Sequence, residues 1–172
     1  MQALRYTLKA IDSISQWVGS SARWLCLALV LVGSYDTLMR YAFNAPTVWA
    51  YETCIMLGGS IYAFGWAYDY LHDHHVRIDV FYVRFSPKKK ALFNAVCAAI
   101  FFFPLMITLA VSCVSWLSQS LAMHETMAES YWYPPAWPYR AVILLGVCIL
   151  IPQGLAMFIR DLYFIIRGKH LD

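Results

Sequence analysis

Charged side chains are scarce in this chain of 172 residues: 13% are Asp, Glu, Lys or Arg, against about 25% in an ordinary soluble domain. Hydrophobic residues reach 61% and aromatic ones 17%, and the mean hydropathy is +0.55. A compact soluble body of this size buries roughly 60–70% of its unfolded surface and could not hide so much apolar area. Disorder requires the opposite composition, poor in apolar residues and rich in charge. The chain also has no glycine loop for phosphate, no Ser/His/Asp arrangement and no zinc-protease motif, so no enzyme activity is expected. What remains is an integral membrane protein.

Two further absences narrow the class. Cys26, Cys54, Cys97, Cys113 and Cys148 form no CxxC pair, and all fall in apolar segments. A quinone-linked disulfide oxidase needs thiols in its outward loops, so these cysteines read as small hydrophobes. The five histidines, His72, His74, His75, His124 and His170, all lie outside the apolar stretches, where a bundle binding an iron porphyrin would want its axial ligands. The His72-Asp73-His74-His75 cluster has no second group at ligand spacing on its side of the membrane and reads as a solvated loop. No cofactor and no metal is expected in this chain, and no nucleic-acid partner.

Crossing about 30 Å of hydrocarbon takes roughly 20 apolar helical residues. Ala91–Met123 and Ala141–Ile159 contain no Asp, Glu, Lys, Arg or His. Residues 22–39 and 48–68 carry charges only toward their ends, with Arg23 and Asp36 in the first and Glu52 in the second. The expectation is an all-α membrane protein, a single domain of four transmembrane helices. If the N-terminus is cytoplasmic, segments 1–23, 69–90 and 160–172 hold eleven Lys and Arg, and the opposite side holds only Arg40 and Arg140. That positive-inside bias places both termini in the cytoplasm.

The flanks carry their own patterns. The first 20 residues lack the apolar core and cleavage site of a secretory signal peptide. Leu4, Leu8, Ile11, Ser15 and Val18 share one helical face, with Arg5, Lys9, Asp12 and Gln16 off it, which predicts an amphipathic helix over 1–20 lying in the membrane interface; a frayed tail is the alternative. Ile78, Phe81, Tyr82 and Phe85 predict a second short interfacial helix. Ser86-Pro87 then reads as an N-cap with proline at the first helical position, and Lys88, Lys89 and Lys90 as anchors for phosphate head groups. The 33 residues of Ala91–Met123 would run roughly 50 Å as a straight helix, so a tilt or a bend is expected, with Pro104 as its cause. The loop Tyr131–Tyr139, with Trp132, Trp137 and three prolines, predicts a stiff outward-facing lid anchored at the membrane boundary.

Charges inside membrane segments are costly and usually paired. Asp36 and Arg40 are four apart and can pair along one helix, and Glu52 follows a short Asn44-Ala45-Pro46 turn. A three-member cluster of Asp36, Arg40 and Glu52 is therefore expected near the outer surface. It would act as a pin between helices or toward a partner, or else as part of an ion path. Without internal repeats or interrupted helix pairs, the chain reads as a subunit of something larger.

Arg40-Tyr41-Ala42-Phe43-Asn44-Ala45-Pro46, then Trp49-Ala50-Tyr51-Glu52, then Gly58, Gly59, Gly65 and Ala67, and finally His75-Val76-Arg77-Ile78-Asp79, make a pattern in order. It resembles the small membrane subunit of tripartite ATP-independent periplasmic (TRAP) transporters, the DctQ-like family. The resemblance implies a bacterial inner-membrane complex that imports an organic acid anion, a carboxylate or sulfonate. In it a periplasmic binding protein delivers substrate transiently and a large elevator-type subunit carries it, driven by a sodium gradient. The small subunit is a scaffold in stable heterodimer with the large one, amid membrane lipids, and holds neither substrate nor sodium. On this reading Asp36, Arg40, Asn44, Trp49, Glu52, Arg77 and Asp79 are structural or interface residues. The alternative is a membrane anchor of a quinone- or haem-linked respiratory complex.

Overall fold

The computed structural model describes residues 2–72 and 85–168, and within them the chain is helical apart from short connections and one isolated β-bridge. Helix α1 spans Gln2–Ala42, α2 Ala50–Leu71, α3 Pro87–Cys97, α4 Phe103–Ala122 and α5 Trp137–Arg167. A π-helical turn, Ala98–Phe102, joins α3 to α4 in one continuous rod. Among the described residues three helical stretches are long and apolar enough to cross a membrane: Leu4–Ala42, Pro87–Ala122 and Trp137–Arg167. The fourth, α2, has four tyrosines, Glu52 and Asp69 among its 22 residues, which lower its hydropathy.

The first expected boundary is corrected. The interfacial helix of 1–20 and the span of 22–39 are one helix of 41 residues, about 60 Å long. Nothing at the junction breaks it. Gly19 is there for contact, because a Cβ at this position would lie 2.3 Å from the Tyr68 Cβ of α2. The apolar stripe expected to face lipid packs on protein instead. Leu8 is buried against Ala156 of α5, with Ile11, Ile159 and Tyr163 around them. Leu8 and Ser15 of the stripe are buried and Leu4 is exposed; hydrophobic periodicity does not say which surface covers such a stripe.

The other helices outrun their apolar cores for a related reason. Absence of charge measures the part suited to hydrocarbon, whereas a helix continues until its backbone is capped. Helix α5 begins with Pro138 in its first turn and ends where Gly168 adopts φ 67°, its amide reaching the Phe164 carbonyl at 2.9 Å. Left-handed backbone of this kind is the usual glycine stop. Helix α3 begins at Pro87 after an extended Ser86, as expected, but the Ser86 side chain makes no capping bond. The irregularity expected at Pro104 takes the form of the π turn immediately before it. Proline lacks an N–H and crowds the preceding turn, and a wider turn relieves both problems without ending the helix. The expected helix around Ile78–Tyr82 lies outside the described residues.

Helix α5 is the hub, packing against α1, α2, α3, the π turn and α4, while α1 and α2 form the other long seam. The seams are built from small residues. Ala50, Ala63, Ala67, Ala91, Ala95, Ala98 and Ala156 are buried, whereas Trp24, Tyr62, Phe101 and Val111 are each about two-thirds exposed. At Gly146 of α5 a Cβ would sit 2.6 Å from the Ala63 carbonyl of α2, and at Gly154 it would meet the Phe102 ring at 2.2 Å. Small residues inside and large apolar ones outside is the packing of helices in lipid, where no hydrophobic gain comes from burying a leucine.

Candidate functional site

The charged and polar residues gather at the two ends of the bundle. At the end opposite the termini Arg40 Nη2 donates to Asp36 Oδ2 at 2.9 Å. Asp36 Oδ1 accepts from the Thr47 amide at 3.2 Å and from the Thr47 hydroxyl. This carboxylate therefore closes the turn between α1 and α2. Inside the turn Asn44 takes φ 51° and the Ala45 amide returns to the Met39 carbonyl at 3.0 Å. Asparagine tolerates that left-handed conformation better than most residues, and Pro46 then prevents the helix from resuming. Trp49, the N-cap residue just before α2, stacks on Tyr35, centroids 6.0 Å apart. Its carbonyl accepts from the Thr53 amide and hydroxyl.

Glu52 does not join this cluster. It is fully buried, and its Oε1 accepts from the Ser130 amide at 2.8 Å. Its Oε2 has no hydrogen-bond partner among the described residues. The expected triad of Asp36, Arg40 and Glu52 thus separates into a pair that closes one turn and a carboxylate that pins the loop between α4 and α5. Nearness in sequence suggested a common cluster. Glu52 faces a loop 78 residues away, which local spacing cannot reveal.

That loop is folded, not merely stiff. The Glu125 amide reaches the Ser120 carbonyl at 3.1 Å, Met127 bonds Pro134 at 2.8 Å, and the Ala136 amide returns to Glu125 at 2.9 Å. Arg140, in the first turn of α5, is nearly buried and forms an ion pair with Glu125. It also donates to the Trp116 carbonyl at 3.1 Å and lies over the Trp116 ring, 4.3 Å from the centroid. Such a cation over an aromatic face is favourable where water is excluded. Trp132 and Trp137 remain about half exposed at the loop's edges.

At the end where the termini lie, sequence reasoning missed a second constellation. The Ser15 hydroxyl donates to Gln153 Oε1 at 2.8 Å, and Gln153 Nε2 donates to Asp12 Oδ1 at 3.1 Å. Arg160 meets both oxygens of Asp12, the bidentate geometry that makes arginine–carboxylate pairs strong. Ser15 and Gln153 are fully buried. This network clasps the start of α1 to α5. Gln153 was its visible sign, a strongly polar side chain inside the apolar stretch 141–159. Lys88 and Lys89 are exposed at the start of α3. Arg77 and Asp79 lie outside the described residues.

A family model described as tripartite ATP-independent periplasmic transporters, DctQ component, matches residues 29–163. The chain belongs to the DctQ family. It is therefore a component of a TRAP transporter, a class of bacterial inner-membrane carriers and not of enzymes. No curated protein matches it. The DctQ match covers the Asp36–Arg40 cluster, the loop, Arg140 and the α5 half of the clasp with Arg160, but not Asp12 and Ser15. It leaves the respiratory-anchor alternative without support.

Proposed function

We propose that this DctQ component is the fixed brace of its transporter, holding the large subunit that carries an organic acid anion inward, driven by a sodium gradient. On this reading the chain crosses the inner membrane four times with both termini in the cytoplasm, as the excess of eleven inner Lys and Arg over two outer ones supports. The observation that carries the proposal is the use of its embedded polar groups. Asp36, Glu52, Arg140 and the Asp12–Arg160 clasp each tie one helix or loop to another. A bundle locked at both ends suits a part that stays still while another moves.

The turn between α1 and α2 is the proposed contact with the large subunit. Arg40 remains more than half exposed beyond its pair with Asp36, and Tyr41 and Phe43 stand out beside it. Arg40→Ala and Glu52→Ala are expected to reduce the amount of large subunit that co-purifies with the tagged chain from native membranes, as measured by mass spectrometry. Full assembly together with selective loss of sodium coupling would instead make these residues part of an ion path. The same purified sample should be colourless. A Soret band and redox subunits would sink the proposal.

A further inference from the structure

One charge stands at neither end of the bundle. The register of α1 can be followed contact by contact: Tyr35 meets Trp49 at the end opposite the termini, and Gly19 meets Tyr68 of α2. Arg23, one turn from Gly19, therefore lies level with Phe64, beside the Ala63 that packs on Gly146 of α5. Along α1 it is about 20 Å from Asp36 and about 16 Å from Asp12, the first in the pair with Arg40 and the second in the clasp with Arg160. Arg23 is exposed. Arg40, Arg140 and Arg160 each hold a carboxylate, whereas among the described residues no hydrogen bond or ion pair reaches Arg23.

On the four-span reading this is a costly place for a lone cation. Helix α2 has 22 residues and is about 33 Å long, close to the roughly 30 Å of a hydrocarbon core, so its ends mark the two boundaries. Leu71, its last residue, lies about 10 Å from Phe64 along the axis, whereas an arginine side chain extends about 7 Å at bond lengths near 1.5 Å. The face that carries Arg23 is also unlike the neighbouring exposed face of α1. Gln16, Ser20, Arg23, Leu27, Val30 and Ser34 repeat at alternate steps of four and three, which makes one seam, and none of them is buried. Roughly a quarter turn round the helix, Trp17, Trp24, Leu31 and Leu38 form an exposed seam that is wholly apolar. Large apolar side chains suit lipid, and small or hydroxyl-bearing ones suit a second helix in the membrane. We infer that the seam from Gln16 to Ser34 docks one transmembrane helix of the large subunit, which presents an Asp or Glu to Arg23 within the membrane. Charge selects this occupant. A lipid tail offers no anion, a second copy related by a twofold axis along the membrane normal brings Arg23 level with Arg23, and a carboxylate matches the guanidinium fork. The seam also leads directly to Tyr41, in the turn proposed above as a contact. The inference rests on the bracing proposal for the identity of the partner and goes beyond it in the face and the chemistry.

The test uses the full chain in its native membranes, extracted with its transporter partners. A photo-reactive phenylalanine analogue in place of Val30 should cross-link to a membrane helix of the large subunit, and the same probe in place of Trp24 to lipid. The peptide linked to position 30, identified by mass spectrometry, should carry an acidic residue within about two helical turns of the attachment point. Arg23→Ala is expected to lower the co-purified large subunit about tenfold, a difference of about 1.4 kcal/mol. Arg23→Lys should restore most of it, and Arg23→Glu should be rescued when the partner's acid is changed to Arg. Trp24→Ala should leave assembly unchanged. A probe at position 30 that links only to lipid, a partner helix without an acid there, or full assembly of Arg23→Ala overturns the inference, while the bracing proposal still stands or falls on Arg40→Ala and Glu52→Ala. If Arg23→Glu does not insert, the cross-link from position 30, made with Arg23 in place, decides alone. Absence of any large subunit from the unmodified preparation overturns both.

Discussion

Asp12 shows how one side chain changes meaning when its partner is known. Along the sequence it is an off-face charge of an amphipathic helix, but in the fold its carboxylate gathers Arg160 and Gln153. Arg160→Ala would leave that carboxylate largely unmatched in a half-buried setting. The expected loss is about 1.5–3 kcal/mol, the usual worth of a hydrogen bond to a charged group, seen as a lower unfolding temperature in detergent. Asp12→Asn keeps one acceptor oxygen for its neighbours and should cost less. Equal losses in the two variants would mean that packing, not the charge pair, holds α1 to α5. The reverse lesson comes from Asn44, where the sequence pattern alone identified a turn and the backbone at φ 51° supplies the reason.

Among the elements, the seam between α2 and α5 is the most demanding. Gly146 faces the Ala63 carbonyl so closely that a larger side chain must separate the helices. Gly146→Leu is expected to abolish the folded monomer in detergent, as judged by size-exclusion chromatography and protease resistance. Gly58 offers the internal comparison, because a Cβ there meets nothing within 4 Å. In the isolated chain Gly58→Ala should be tolerated and should stabilise the helix by about 0.5–1 kcal/mol. Both glycines look alike in sequence, and only the neighbouring helix distinguishes them. Pro104 is legible as an irregularity for a chemical reason, its missing donor, whereas the π turn at Ala98–Phe102 is visible only in the fold.

For the whole molecule, the folded outer loop is the feature most exposed to the periplasmic side of the proposed arrangement. It is pinned from below by Glu52 and Arg140, and it presents Tyr131, Trp132 and Tyr133 outward. Shortening Tyr131–Pro138 while keeping Ser130 should leave the large subunit bound. It should lower uptake of substrate delivered by the binding protein, measured as transport into reconstituted vesicles. Normal uptake after the deletion would remove the loop from any docking role.

Composition and charge spacing determined the membrane class, the helical architecture and the approximate place of each long helix, because lipid imposes those requirements on every residue along a segment. An ordered series of local motifs was enough to place the family. Tertiary structure decided what local spacing cannot encode: that α1 runs unbroken, that its first apolar stripe covers α5, and that Glu52 serves Ser130 instead of Arg40. It also brought Asp12, Ser15, Gln153 and Arg160 together. These are contacts between residues far apart in sequence, and helical periodicity indicates which face is apolar or polar without specifying what that face meets.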